Sequence, residues 1–232
     1  MNSRILISGL ATLLAILPAS SYAQVSRSGL PSWGPWEDFP AIVVVSTGDD
    51  SRLPAVREAV DFWNAEFSKL GSPFRLGSVA HVIELIPAGD LRDLRDPSAA
   101  RVLSRIAPAG DVIVALSNDA NFNPFTRPGR HKVVVAIPDL WAYRRTLPGL
   151  VRNVIAHELG HVVGLGHNDD PTALMCGEAE CARARGLMFP NEGFRPITQS
   201  ERTKLLQMYP PSWQPRPFRK WITDPPYPPT SG

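Results

Sequence analysis

The 232-residue sequence is poor in the features that mark several common protein classes. It has two cysteines, Cys176 and Cys181, so it holds no cysteine-rich metal site. It has no large charge excess: the formal net charge is +2, which gives no electrostatic case for nucleic acid or an anionic membrane. No internal repeat is visible. Beyond the N-terminus there is no uninterrupted apolar stretch long enough to cross a bilayer. Histidine is scarce too, at five residues, yet three of the five fall between positions 157 and 167.

The N-terminus reads as a signal peptide over residues 1–23. Arg4 supplies the positive start, residues 5–17 are mostly apolar, and Ser21-Tyr22-Ala23 places small residues at the cleavage positions. The alternative is a retained anchor, but the apolar run is short for a span and stops at Pro18. The segment contains one of the 24 Lys and Arg and none of the 22 Asp and Glu, so the remainder is close to neutral. Export implies a secreted, extracellular or periplasmic protein without an integral membrane segment. The two cysteines agree with that. In an oxidising compartment they can form a disulfide closing a short loop, which fixes local shape more than global stability. Metal ligation by the pair lacks further partners.

The informative string is His157-Glu158-Leu159-Gly160-His161-Val162-Val163-Gly164-Leu165-Gly166-His167. A helix turns about 100° and rises about 1.5 Å per residue, so His157 and His161 lie roughly 40° apart on one face, about 6 Å along the axis. Two imidazoles so placed can grip one ion. Glu158 is about 100° round from His157, off that face but within reach of a water on the metal. In a continuing helix His167 would point away from the metal. Gly164 resolves this, because glycine tolerates the left-handed conformation that ends a helix and lets the chain turn back. Three neutral imidazoles with an open fourth position suit a catalytic zinc. Its bound water becomes acidic enough for Glu158 to act as general base, and the proton then passes to the leaving amine. By chance, five fixed positions of this kind coincide on the order of once in 10⁵.

This string resembles the zinc-binding signature of the metzincin metallopeptidases. The run Ala173-Leu174-Met175 shortly after His167 is similar to the matrixin branch. The resemblance implies a methionine turn beneath the metal, with Met175 the first candidate and Met188, in Leu187-Met188-Phe189-Pro190, the second. Either methionine is a floor to the site and not a ligand; a core methionine filling an irregular gap is the plainer reading. Matrixins are kept latent by a propeptide cysteine, and this chain has no cysteine before Cys176. Many hold a second, structural zinc, but His81 and His131 are isolated here. Asp169, Asp170 and the Ser117-Asn118-Asp119 loop offer oxygens for calcium, though solvated turns account for them. The fold implied is α+β and zincin-like. It has a twisted mixed sheet with covering helices, an active-site helix below the cleft and a C-terminal helix.

Local patterns fill in the order of elements. Residues 24–40 form an extended lead-in, 41–210 a single metallopeptidase domain and 211–232 a Pro-rich tail, either laid on the domain or free to dock elsewhere. Strands are expected at 41–45, one or two within 74–85, and at 112–116 and 132–137. A helix is expected at 54–70, with Pro54 in its first turn and Val56, Val60, Trp63, Phe67 and Leu70 as its apolar stripe. A shorter helix is expected at 97–106. The site helix runs from near Pro148, capped by Thr146 or Leu147, to near Gly164. Thr198-Gln199-Ser200-Glu201 is a capping box that opens the last helix. In matrixin-like enzymes an edge strand pairs with the substrate backbone, and the two strands before the site helix, 112–116 and 132–137, are the candidates.

The function expected is a secreted zinc endopeptidase, monomeric, acting on protein or peptide. A metal-retaining binding module would need the histidines but not Glu158. A zinc hydrolase of a non-peptide amide fits less well with the matrixin-like turn.

Overall fold

The computed structural model describes residues 35–84, 110–120, 122–128, 132–139, 148–177 and 193–216. The expected signal peptide, the helix at 97–106, the cap at Thr146 or Leu147, His131, Met188 and Cys181 lie outside these residues. The described elements are β1 (Ile42–Ser46), α1 (Leu53–Lys69), β2 (Val79–Ile83), β3 (Val112–Leu116), β4 (Phe125–Pro128), β5 (Val133–Ile137), α2 (Pro148–Val162) and α3 (Gln199–Met208). Together they make an α+β architecture with one five-stranded mixed sheet.

The sheet order is β2-β1-β3-β5-β4. β1, β2, β3 and β5 are parallel; β4 runs antiparallel to β5 and forms one edge. β1, β3 and β5 are runs of β-branched and small apolar residues, buried along their whole length. Strands buried on both faces read as continuous apolar runs. Ile42, Val44, Val112, Val114, Val133 and Val135 face the helices, while Val43, Val45, Ile113, Ala115, Val134 and Ala136 form a second cluster on the other face.

The placement of β4 corrects the expectation for the cleft edge. Neither 112–116 nor 132–137 is an edge; both are central strands. The edge is a four-residue strand bracketed by Pro124 and ending at Pro128. Proline lacks a backbone N–H, so it is confined to edge strands and strand ends. Of the one or two strands expected within 74–85, the described residues there form one, Val79–Ile83.

α1 and α2 pack together beneath the sheet. Trp63 of α1 is fully buried, and its indole N–H donates to Ala156 O of α2 at 2.8 Å. This seats the site helix at a fixed height. Arg52, just before α1, is 2% exposed and pairs with Asp50 at 2.6 Å. Its guanidinium also donates to the carbonyls of Ser117 and Pro138 at 2.7 and 2.9 Å. A buried guanidinium must be satisfied this fully, since its desolvation cost is otherwise uncompensated. It ties together the C-terminal ends of β3 and β5.

α3 opens with the complete capping box. Glu201 N–H donates to Thr198 Oγ1, and Thr198 N–H to Glu201 Oε2. The same Glu201 accepts from Asn168 Nδ2 at 2.6 Å, which anchors the segment after His167 to α3. The lead-in and the start of the tail meet at the C-terminal end of α2. Trp36 donates its indole N–H to Val162 O at 2.9 Å, Trp213 donates to Trp36 O at 3.2 Å, and Arg216 pairs with Glu37. Up to residue 216, therefore, the tail lies on the domain. No helix among the described residues is long and apolar enough to cross a membrane.

Candidate metal centre and active site

The site begins with the end of α2. Gly164 has φ +98°, in the left-handed region. Leu165 N–H donates to Gly160 O at 2.9 Å and Gly164 N–H to His161 O at 3.0 Å. These two bonds, spanning five and three residues, form a Schellman motif, which satisfies helix-end carbonyls while reversing the chain. His167 is thereby carried back over the helix face that bears His157 and His161.

The three imidazoles converge. His167 Nε2 lies 3.1 Å from Nε2 of His157 and 3.1 Å from Nε2 of His161. The other ring nitrogens fix the tautomers. His157 Nδ1–H donates to Leu174 O and His161 Nδ1–H to Leu165 O, both at 2.8 Å. The Nε2 lone pairs of these two rings therefore point at the same small volume, an arrangement that repels itself unless a cation or proton sits between. Tetrahedral zinc with Zn–N about 2.0–2.1 Å places its ligand nitrogens roughly 3.3 Å apart. The three histidines fit that ion, and the carbonyls behind them are the outer hydrogen bonds that orient metal-binding imidazoles. Burial pushes the His157 ring down to about 3 and His161 to about 4, so both are already in the neutral, ligating form near neutral pH. Among the described residues this is the one group of three or more His, Cys, Asp or Glu that could hold a metal.

Glu158 is 4% exposed, and burial pushes its carboxyl up to about 7, opposed by a hydrogen bond from Thr126. Thr126 Oγ1 sits 2.7 Å from Glu158 Oε2 and 2.9 Å from Glu158 O. Sequence reasoning did not single out Thr126. Its signal was the Pro-bracketed segment Pro124-Phe125-Thr126-Arg127-Pro128, which marks an edge strand once the rest of the sheet is known.

Met175 is fully buried against Gly160. The chain from 168 to 177 is strapped into a loop by Asn168 N–H to Met175 O and Gly177 N–H to Asn168 O, both 2.8 Å. This loop presents Leu174 O to His157. A β-carbon on Gly160 would meet Met175 Sδ at 2.2 Å and Trp63 Cζ2 at 2.9 Å. Helix propensity alone favours Gly160→Ala by about 0.8–1.0 kcal/mol, but overpacking of this kind costs about 1–3 kcal/mol. Gly160→Ala is therefore expected to lower Tm and to loosen zinc, because Met175 must move and Leu174 O moves with it. Calorimetry and a chelator competition check both effects.

The remaining candidates are placed as follows. Cys176 is buried; its proposed partner, Cys181, is outside the described residues. Asp169 and Asp170 are exposed, and Asp170 Oδ1 accepts from the Thr172 backbone N–H and hydroxyl, a turn that needs no ion. Ser117 O is taken by Arg52. His81 lies 2.9 Å from Ser46 Oγ, away from the triad.

Comparison with known proteins agrees with the site. The family model for matrixin peptidases matches residues 140–199, about a quarter of the chain, spanning the site helix, the triad and Met175. No curated protein matches by sequence. The chain is similar to the crystal structure of archaemetzincin from Methanopyrus kandleri, with TM-score 0.41 and 18% identity over 76% of this chain and 97% of that one. It is also similar to a zinc-dependent peptidase from Methanocorpusculum labreanum, with TM-score 0.36 and 15% identity over 71% and 100% of the two chains. At these scores and identities neither structural likeness bears on function. The triad and Met175 lie inside the segment that the matrixin model matches.

Proposed function

We propose that this protein is a secreted zinc endopeptidase in which His157, His161 and His167 hold the ion and Glu158 is the general base. The carrying observation is the convergence of three Nε2 atoms, with a buried carboxylate on the residue following His157 that is not itself one of the converging ligands. When bound, zinc supplies Lewis acidity toward water and a substrate carbonyl.

The chain's own groups supply the rest. Glu158 Oε takes a proton from the attacking water and returns it to the departing amine nitrogen. Burial raises the Glu158 carboxyl, to about 7 without the ion, and so favours uptake of the proton from water. The Thr126 hydroxyl has one proton and two acceptors, Oε2 and the Glu158 carbonyl. It can donate to the carboxylate before proton uptake and accept from the carboxylic acid afterwards. Among the described residues β4 pairs on one side only, with β5, so its outer edge can pair with an extended peptide, and such pairing gives affinity with little dependence on side chains. Met175 is the proposed methionine of the turn. Export is proposed from the character of residues 1–23, with Cys176 and Cys181 closing a loop beside the site.

Stripping the metal tests the assignment of the ion. Dialysis against a chelator is expected to abolish peptide cleavage, and stoichiometric zinc is expected to restore it. Full activity in the stripped protein contradicts the proposal.

A further inference from the structure

The bond between the edge strand and the base points to a role for a residue that the zinc-helix motif does not contain. Thr126 lies opposite Val135 in the β4–β5 pairing. Val135 belongs to the face of the sheet covered by the helices, and residues directly opposite share a face. The register therefore aims Thr126 down at α2. A slip of one residue would aim Phe125 or Arg127 there instead. Among the described residues, Thr126 makes the one side-chain hydrogen bond to the Glu158 carboxylate. A threonine at this spot is informative. Valine has nearly the same shape, is a better strand former, and would pack equally well beside Val135. What it lacks is the hydroxyl. Threonine is also stiff about its first torsion, so its oxygen is held in place by the strand.

We propose that Thr126 is a positioning residue for hydrolysis: acting through Glu158, it holds the carboxylate in one orientation beside the triad from outside the zinc helix. The inference rests on the hydrolytic reading of the site. It has a structural corollary. The base is oriented by the same strand whose outer edge faces an incoming peptide, so the position of that strand and the aim of the base are set together.

The test uses full-length, zinc-loaded wild type, Thr126→Val and Thr126→Ser on a quenched-fluorescence peptide that the wild type cuts. Zinc content, Tm, kcat and KM are measured for each. Small misplacement of a reacting group costs on the order of 10²-fold, so Thr126→Val is expected to lower kcat by about 10–100-fold. KM, zinc content and Tm are expected to stay near wild type, and Thr126→Ser to restore most of kcat. The inference is overturned if Thr126→Val keeps wild-type kcat, if the loss is in KM or follows loss of zinc or fold, or if a folded Thr126→Ser fails to recover. Should Thr126→Val not fold, Thr126→Ala is judged by the same criteria. A wild type that cuts nothing overturns the hydrolytic reading as well; a wild type that cuts, with Thr126→Val unaffected, overturns the Thr126 role alone.

Discussion

Glu158→Ala is expected to reduce peptide hydrolysis about 10²–10⁴-fold, the usual contribution of a positioned general base. Zinc content should not change, because the carboxylate is not among the three converging ligand atoms. Stability should not fall for electrostatic reasons either. The Glu158 carboxyl is raised from its ordinary 4.5 to about 7 by burial. The folded protein therefore holds that proton over a pH range where the unfolded chain has lost it. Stability of the metal-free protein is lost as pH rises through that window, and the cost is complete above about 7. Alanine removes this cost. Loss of activity with zinc and fold intact separates a base from a structural carboxylate. Zinc analysis, a melting curve and a rate on one peptide are sufficient.

His167→Ala carries the second large effect. His167 is exposed and comes from the loop after Gly164, while the turn that positions it is built from backbone bonds. Its removal should leave the Tm of the metal-free protein nearly unchanged. Zinc affinity should fall by more than the ~10–100-fold typical of losing an outer hydrogen-bond partner, because a ligand itself is gone. Competition against a chelating dye measures this. Retained affinity would show that the ligand set is wrong. His157→Ala is a less clean probe, since its Nδ1–H also ties α2 to Leu174 O and its loss disturbs the loop as well as the metal.

The parts of the site that the sequence made legible are those governed by local spacing. His157 and His161 share a face through helix periodicity, and Gly164 is required where the chain must enter positive φ. The Thr198–Glu201 box is likewise a short-range pattern. β1, β3 and β5 were readable because a strand buried on both faces shows as an unbroken apolar run. β4 was not, having four half-buried residues, a proline end and no alternation strong enough to see. Its absence misplaced the cleft edge onto two strands that prove to be central. Thr126 followed the same fate, since its partner is 32 residues away and their meeting depends on a register no local pattern encodes. The carbonyls of Leu165 and Leu174 were invisible for another reason: which way a backbone oxygen points is a property of the turn and not of the residue name.

The central claim is that three histidines and a buried glutamate on this fold cut peptide bonds. The direct measurement is digestion of a defined peptide library by the purified protein carrying one zinc per chain, with products read by mass spectrometry. The account predicts internal cuts that vanish in Glu158→Ala. Stoichiometric zinc with no peptide bond cut under any condition would contradict it.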